Sequence, residues 1–357
     1  MRHLPRWSVL WIAIAALCVG CNGNVSHIVP PPTGSPSPPN VNGVGTLAVV
    51  NISNRGAKRV WAFPPNSDQF TREILFQGSK YDPNSVAFDG KGHLYVGFNN
   101  TEFAGAYGVV EVNLQNSDVL REIRVAQWPL GSVATDDHDN LYLANKALIG
   151  GDVNLYGNNK DTKPYARIKN HRSPVTMTIG GGSLWVGYEG VPANALARYR
   201  LRSTDETWFK TIGDDVPISL ATNADGSLLA AFVRRKSDGQ AVDIYDVKSG
   251  TRARTLLHQN NLAAMTSDDA GNLYIAETGR QSTGDAKIHA CTFRGCSITF
   301  QTRSVRAIAT AVSPLDGKLY VTMAGKPSVQ VFNPKTGHLD RTIIMREFEP
   351  TALSLEP

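Results

Sequence analysis

The chain has 357 residues, of which 19% are charged and 8% are aromatic, and its formal net charge is +5. Two basic residues, Arg2 and Arg6, belong to a predicted leader, which leaves 34 of the 36 Lys and Arg against 31 Asp and Glu. This small excess, with no Lys and Arg cluster that alternates with aromatic residues, argues against nucleic-acid binding. The length is ample for one large domain.

Residues 1–21 are a predicted export signal. After the two arginines comes an apolar run, 7–20, which is typical of a signal peptide and too short for a comfortable membrane span. The run ends at Gly20-Cys21 and resembles the lipobox of bacterial lipoproteins, although Cys18 stands where Leu is usual. We predict lipidation of Cys21; an ordinary cleaved signal or an uncleaved anchor are the alternatives. Each version places the rest of the chain outside the cytoplasm, at the periplasmic or outer face of the envelope.

Residues 22–43 are a predicted tether. The segment is rich in Gly, Ser, Thr and Asn, and it contains Pro30, Pro31, Pro32, Pro36, Pro38 and Pro39. Such a composition favours a disordered, extended spacer with no core of its own. At about 3.1 Å per residue it reaches up to roughly 70 Å from a membrane surface.

Residues 44–357 repeat one short apolar strand seven times. Successive strands begin at Leu47, Leu94, Leu141, Leu184, Leu228, Leu273 and Leu319, so the repeat spacing is 43 to 47 residues. A fixed period in this range is typical of a β-propeller. The sequence therefore predicts an all-β domain of seven blades.

One repeat gives the pattern of a blade. In residues 85–126 we predict strand A over 85–89, strand B over 94–98, strand C over 109–114 and strand D over 121–125. Strand B has no charge, as expected for a strand covered on both faces, whereas strand D carries the charges of an outer edge. Four antiparallel strands with short turns form one propeller blade.

The two chain ends predict how the ring closes. Residues 351–357 resemble a strand A without a blade, and residues 45–47 begin a strand B with no strand A before it. We predict that the C-terminal strand pairs with residues 47–52 and completes a seventh blade, which removes two exposed edges.

The A–B turns and the entries to strand A have their own signatures. The turns are rich in Asp, Asn and Gly, which tolerate the positive φ of tight hairpins. Calcium is the alternative reading of the acidic turns, but no turn has EF-hand spacing. Proline precedes the predicted strand A in five of seven blades, where its fixed φ suits entry to the ring. The basic run 234–236 is predicted to be a solvated loop, with binding of an acidic partner or of lipid head groups as the alternative.

Two cysteines remain after the leader. Cys291 and Cys296 are spaced C-x4-C, which is wrong for a redox pair but suits a disulfide across a β-hairpin of an exported protein. Two free thiols are the alternative.

Polar side chains at the channel mouth are the candidate binding residues. The D–A and B–C connections of a propeller converge at one end of the central channel, and in this chain they supply Asp82, Asn84, Asn100, Trp128, Asn145, Glu189, Asp215, Glu277 and Glu349. Trp128 is the tryptophan best placed for ligand contact, since Trp61 and Trp185 fall inside strands and are assigned to the core.

The blade motifs resemble NHL/YVTN-type propellers of bacterial envelopes. The resemblance rests on D-x-x-G-N-L-Y at 268–274 and D-G-K-L-Y-V-T at 316–322, and it covers the whole of 44–357. Its members include binding proteins, assembly scaffolds and gluconolactonase-like enzymes, so it implies a fold more than an activity. A lactonase of this kind would hold Ca²⁺ or another divalent ion with carboxylates and Asn at the channel mouth. No ligand motif of the family maps onto this chain residue by residue.

The sequence favours a binding or scaffold module over an enzyme. It contains no G-x-S-x-G, H-E-x-x-H, G-x-G-x-x-G or P-loop motif. We expect a monomer without a cofactor, attached to the membrane by its N-terminal lipid, that binds an unidentified protein or small molecule. The alternative is a metal-dependent, lactonase-like hydrolase at the channel mouth.

Overall fold

The computed structural model describes residues 28–29, 45–53, 58–76, 82–99, 107–115, 118–125, 130–146, 150–157, 161–170, 172–236, 239–279, 285–304, 306–345 and 348–356. The predicted leader and three predicted site residues, Cys21, Asn100 and Trp128, lie outside these ranges. Among the described residues there is no helix with the length and hydrophobicity that a membrane crossing needs.

The strands of the first three blades follow in chain order. The first blade contains Ile28–Val29 (β1), Leu47–Ser53 (β2), Lys58–Phe63 (β3) and Arg72–Phe76 (β4). The second contains Asp82–Phe88 (β5), His93–Asn99 (β6), Tyr107–Asn113 (β7) and Val119–Val125 (β8). The third contains Leu130–Thr135 (β9), Leu141–Asn145 (β10), Gly151–Tyr156 (β11) and Ala166–Asn170 (β12).

The next four blades repeat the arrangement. The fourth contains Ser173–Gly180 (β13), Ser183–Glu189 (β14), Asn194–Arg200 (β15) and Glu206–Gly213 (β16). The fifth contains Val216–Thr222 (β17), Leu228–Arg235 (β18), Gly239–Asp246 (β19) and Thr251–Gln259 (β20). The sixth contains Leu262–Ser267 (β21), Asn272–Glu277 (β22), Lys287–Thr292 (β23) and Gly295–Gln301 (β24). The seventh contains Arg306–Val312 (β25), Leu319–Ala324 (β26), Ser328–Asn333 (β27) and His338–Ile344 (β28), and Phe348–Leu355 (β29) follows it.

These strands form seven antiparallel sheets, which confirms the predicted seven-bladed propeller. Blades two to seven are four-stranded, with the strands hydrogen-bonded in chain order. The first blade has the order β29-β2-β3-β4-β1. Strand β1 lies within the predicted tether and adds a fifth strand to the outer edge of this blade.

The C-terminal strand closes the ring, as predicted. Strand β29 pairs with β2 from Leu47↔Leu355 to Ser53↔Phe348. The backbone of Glu356 extends the closure, because its carbonyl accepts from Gly45 N–H at 2.8 Å and its N–H donates to Thr46 at 2.9 Å. Strand β2 and the C-terminal strand β29 are thus held in one sheet.

Each innermost strand carries a β-bulge near its start. The residues without a direct partner on the neighbouring strand are Asn84, Gly131, Val175, Ile218, Ala263, Ile308 and Thr351. The prediction that proline precedes strand A was wrong in four blades, where it lies inside the strand immediately before the bulge, at Pro83, Pro174, Pro217 and Pro350. Proline is tolerated there because the inner edge has no neighbouring strand and the bulge already interrupts the ladder.

The core lies between neighbouring blades. Along β6 the side chains alternate: Leu94, Val96 and Phe98 pack towards the first blade, whereas Tyr95 packs towards the third. Each second strand is therefore covered on both faces, which explains why it carries almost no charge. Trp61 and Trp185 are 6% and 0% exposed, in agreement with their assignment to the core.

A disulfide crosses the outer hairpin of the sixth blade. Cys291 in β23 and Cys296 in β24 are register partners, and their sulfur atoms are bonded. The bridge closes the short turn at Thr292–Gly295.

Candidate functional site

The predicted channel-mouth residues lie at strand ends, as expected from their place in the repeat. Asn145, Glu189 and Glu277 end the second strands of their blades, while Asn84 and Glu349 lie in innermost strands. Asp82 lies in β5, three positions before the predicted start of that strand at residue 85. The D–A loops are therefore shorter than predicted, because the innermost strands begin two to four residues earlier.

Three of the acidic members, Glu189, Asp215 and Glu277, pair with neighbouring basic or amide groups. Glu189 accepts from Lys146 of the adjacent blade, with Nζ 3.1 Å from Oε2. The Asp215 carboxylate lies 4.0 Å from Arg235 Nε. Neutralised in this way, these carboxylates form local inter-strand and inter-blade contacts.

Glu277 is the centre of a buried polar chain in the sixth blade. Its Oε1 accepts from Asn261 Nδ2 at 3.0 Å, and its Oε2 lies 2.9 Å from His289 Nε2. His289 Nδ1 in turn lies 3.0 Å from Thr299 Oγ1. Burial raises the pKa of Glu277, but the hydrogen bonds from His289 and Asn261 outweigh it and hold the pKa below its usual value. The sequence predicted Glu277 as a channel-mouth residue but gave no signal that His289 is its partner.

A second buried carboxylate, Asp243, corrects the interpretation of the basic run. Arg235 is not in a solvated loop: it ends β18 and its Nη2 lies 3.0 and 3.2 Å from the two oxygens of Asp243. Thr255 Oγ1 donates to the same carboxylate at 2.5 Å. The next residue, Lys236, pairs with Asp214 at 2.9 Å. The run 234–236 therefore supplies ion pairs to its own blade, which the sequence spacing alone did not show.

The acidic A–B turns are held by their own hydrogen bonds. Asp136 Oδ1 accepts from the backbone N–H of His138 and of Asn140, both at 2.9 Å, and Oδ2 accepts from Tyr142 Oη at 3.0 Å. Burial raises the pKa of Tyr142, so the phenol remains the donor. Asp268 repeats the pattern with Asn272 and Tyr274. The D-x-x-x-N-L-Y motif at 136–142 and 268–274 thus joins the A–B turn to the second strand by hydrogen bonds, which agrees with its interpretation as a turn motif.

A metal site at the predicted mouth gains no support from the described residues. Within them, the one set of three His, Cys, Asp or Glu side chains whose ligand atoms lie within 4.8 Å of one another is Asp136, Asp137 and His138. That set belongs to an A–B turn, at the opposite end of the blade from the predicted mouth, and its buried member is already saturated by the turn. Among the predicted carboxylates whose side chains the structure describes, Glu189, Asp215, Glu277 and Glu349, none belongs to such a set.

A cavity of about 600 Å³ occupies the A–B end of the central channel. Hydroxyl groups recur on its wall, from Thr178, Thr222, Thr266, Ser267, Thr310 and Ser354. The wall also includes the unpaired inner edges of the innermost strands. This end of the channel is therefore polar. The binding residues predicted from the sequence lie at the opposite end, in the D–A and B–C connections.

An aromatic groove of about 770 Å³ lies between the first and seventh blades. We call it the seam groove; its lining residues are Trp61, Phe63, Asp68, Gln69, Phe70, Thr342, Ile344 and Phe348. Trp61 and Phe70 stack with ring centroids 4.7 Å apart and planes 4° from parallel. Phe348 meets Trp61 edge-on at 4.9 Å. Offset and edge-on aromatic contacts of this kind make a rigid apolar wall.

A polar bracket fixes the Trp61 ring from behind. The indole Nε1 donates to Glu73 Oε1 at 2.9 Å, and the same oxygen accepts from Arg59 Nη1 at 2.5 Å. The Arg59 guanidinium also lies 4.7 Å from the centroid of the Phe348 ring. With its polar end satisfied in this way, Trp61 presents its apolar face to Phe70 and the groove.

Two large apolar side chains of the seam groove are exposed to solvent. Ile344 is 72% exposed and Phe70 is 38% exposed. Asp68 on the rim pairs with Arg341 at 3.5 Å, which joins the two blades across the groove. The sequence did not predict this site. Phe70 follows an otherwise polar turn, and Ile344 is one apolar residue at the end of an outer strand, so neither residue suggests a shared groove. An aromatic residue in the C–D turn of the first repeat was the available signal.

Comparison with known proteins assigns a fold and no family. No protein-family model and no curated protein sequence matches the chain. A solved structure of Kuenenia stuttgartiensis hydrazine synthase is similar with a TM-score of 0.58 and 16% identity, over 71% of this chain and 77% of that one. A chain in a crystal structure of the mitotic checkpoint complex is similar with a TM-score of 0.60 and 14% identity, over 91% and 96%. These similarities define the chain as a β-propeller, a fold that commonly serves as a binding or scaffold module.

Proposed function

We propose that this propeller is a membrane-tethered binding module of the cell envelope and that the seam groove is its docking surface for an extended segment of a protein partner. The observation that carries the proposal is the stacking of exposed Phe70 on the buried Trp61, in a wall of four aromatic residues. Aromatic side chains dominate the energy of protein interfaces. Exposed Ile344 on the opposite wall offers a second apolar contact.

The leader supports the tethered, extracytoplasmic part of the proposal. The lipobox-like end of the leader, with Cys21 as lipid site, and the proline-rich segment after it suit a domain held away from a membrane. The NHL/YVTN-like blade motifs suit the same setting. Metabolic labelling with a fatty-acid analogue tests this part: the wild-type chain takes up label and a Cys21→Ala chain does not. Label on both, or on neither, contradicts a lipid at Cys21.

Site-specific photo-crosslinking in the producing cells tests the docking surface. A benzophenone amino acid replaces Phe70 in one chain and Phe209 in a matched control, since Phe209 is 37% exposed on the outer strand of the fourth blade. We expect a discrete, heavier adduct with a second protein only from position 70, and its loss in an Ile344→Asp background. Adducts from both positions, or from neither, would refute the seam groove as the docking surface.

The described residues favour no second function. The lactonase alternative needs a carboxylate cluster at the channel mouth, and three of the predicted carboxylates, Glu189, Asp215 and Glu277, pair instead with Lys146, Arg235 and His289.

A further inference from the structure

We infer that the seam groove is occupied in its resting state by the proline-rich segment of the same chain, residues 30–39, which a partner must displace. The inference rests on the proposed function, because it takes the groove to be a peptide-docking surface. It names the first ligand of that surface and the regulation that follows.

The chain leaves β1 beside the wall of the groove. Val29 is the register partner of Glu73, and Glu73 is the partner of Trp61, so the three residues lie in one row of the sheet. Glu73 also holds the Trp61 indole. Because β1 runs antiparallel to β4, the chain after Val29 heads towards Arg72, Thr71 and then Phe70.

The chain is next described at Gly45, at the junction of the first and seventh blades. Its N–H donates to Glu356 beside β29 at 2.8 Å, and an added Cβ would lie 3.1 Å from Leu315 Cβ in the A–B turn of the seventh blade. Residues 30–44 therefore connect the outer edge of the first blade to this junction. Fifteen residues reach at most about 50 Å when extended. The seam groove lies at the same junction, within reach of a segment held at these two ends.

The chemistry of the segment fits the groove. Six of the ten residues 30–39 are proline, and residues 30–44 contain no charged side chain. Proline-rich segments adopt a preformed polyproline II helix that docks in aromatic-lined grooves at a low entropy cost. Trp61, Phe63, Phe70 and Phe348 provide such a lining, and Asp68 and Gln69 on the rim provide polar partners.

Covalent attachment makes this occupant a strong competitor. A segment joined to its site by a short connection acts at an effective concentration in the millimolar range. A free peptide of equal intrinsic affinity at micromolar concentration then binds only a small fraction of grooves. Partner binding is expected to rise when the segment is withdrawn, for example when it is stretched between the domain and a membrane.

A peptide titration tests the inference. The chain from residue 22 to 357 is compared with a variant in which residues 30–39 are replaced by ten Gly and Ser residues. The probe is a fluorescent synthetic peptide of residues 28–43, followed by anisotropy. We expect binding to the Gly/Ser variant about 100-fold tighter than to the unaltered chain, because the tethered competitor is gone.

Two substitutions in the Gly/Ser variant locate the binding. Phe70→Ala should weaken the peptide about tenfold, a change of about 1.4 kcal/mol, whereas Phe209→Ala should leave its affinity unchanged. Near-identical circular dichroism and melting temperatures show that each variant is folded. Equal peptide affinity for the unaltered and Gly/Ser chains, no binding to either, or no effect of Phe70→Ala overturns the inference.

The two proposals fail in different ways. A partner adduct from position 70 with a negative titration removes only the occupancy by residues 30–39. A positive titration without any partner adduct removes the proposed function and leaves the segment as an intramolecular contact.

Discussion

Removal of the Asp243 carboxylate is expected to be the most damaging single polar substitution in the fifth blade. The side chain of Asp243 is completely buried, and its oxygens accept from Arg235 at 3.0 and 3.2 Å and from Thr255 at 2.5 Å. In Asp243→Ala the Arg235 guanidinium, whose side chain is 17% exposed, keeps its charge and loses this partner. Loss of one partner from a buried ion pair costs about 3–5 kcal/mol. We expect that decrease in the free energy of unfolding.

Urea unfolding followed by tryptophan fluorescence measures this loss. Asp214→Ala is the matched control in the same blade, since Asp214 also pairs with a basic residue, Lys236, but both side chains are largely exposed. Exposed ion pairs contribute little to stability, so the control should unfold close to the wild-type midpoint. Replacement of both partners, as Asp243→Leu with Arg235→Met, should recover part of the loss because the largely buried Arg235 charge is removed together with the carboxylate. If Asp243→Ala costs no more than Asp214→Ala, the buried pair does not stabilise the blade and the reasoning is wrong.

Four further predictions concern the ring, the buried acid, the disulfide and metal ions. Deletion of residues 348–356 exposes the edge of β2, so we expect loss of the sharp melting transition and aggregation in size-exclusion chromatography. The pKa of Glu277 is held below its ordinary 4.5 in the folded state, so its ionised form stabilises the protein above that pH and the effect fades as the pH falls through the folded pKa. The melting-temperature difference between wild type and Glu277→Gln should therefore be larger at pH 7 than at pH 3; a constant difference would contradict the linkage. Cys291→Ser with Cys296→Ser should lower stability by about 2 kcal/mol, the loop-closure entropy of a short ring, measured by urea unfolding without reductant. Calcium or chelator should not move the melting temperature, because the Asp136 carboxylate is saturated by its own turn; a chelator-sensitive midpoint would contradict this.

The fold could be predicted because each repeat contains the same short sequence patterns for its strands and turns. An uncharged second strand such as Leu94–Phe98, a turn with Asp136 or Asp268, and a charged outer strand recur with a fixed period, and each has one physical reason. The closure could also be predicted, since residues 351–357 carry the pattern of an inner strand without a blade. The first residues of the inner strands were predicted wrongly. Each inner strand continues past a β-bulge next to a proline such as Pro83 or Pro217, and the sequence has no pattern that marks such a bulge.

The candidate site could not be predicted because it depends on contacts between distant residues. Trp61 and Phe348 are 287 positions apart in the sequence, yet their rings meet at 4.9 Å because the ring closes. In the same way, Glu277 was predicted as a channel-mouth residue, and only the register of β22 and β23 shows that His289 is its partner. Composition and spacing indicate which residues a blade has but not which neighbouring blade covers them.

The seam groove couples ligand binding to closure of the ring. Trp61 and Phe70 belong to the first blade, Thr342 and Ile344 to the last outer strand, and Phe348 to the strand that closes the ring. A ligand that contacts the first blade, strand β28 and strand β29 together can bind only the closed ring. At a free concentration of 100 times its dissociation constant, such a ligand stabilises the closed ring by about 2.7 kcal/mol. We therefore expect the peptide of residues 28–43 to raise the melting temperature of the Gly/Ser variant and not that of its Phe70→Ala derivative, in differential scanning fluorimetry over a peptide titration. A peptide that binds without raising the melting temperature would bind the unfolded chain as well as the closed ring, and the groove would then not be the site.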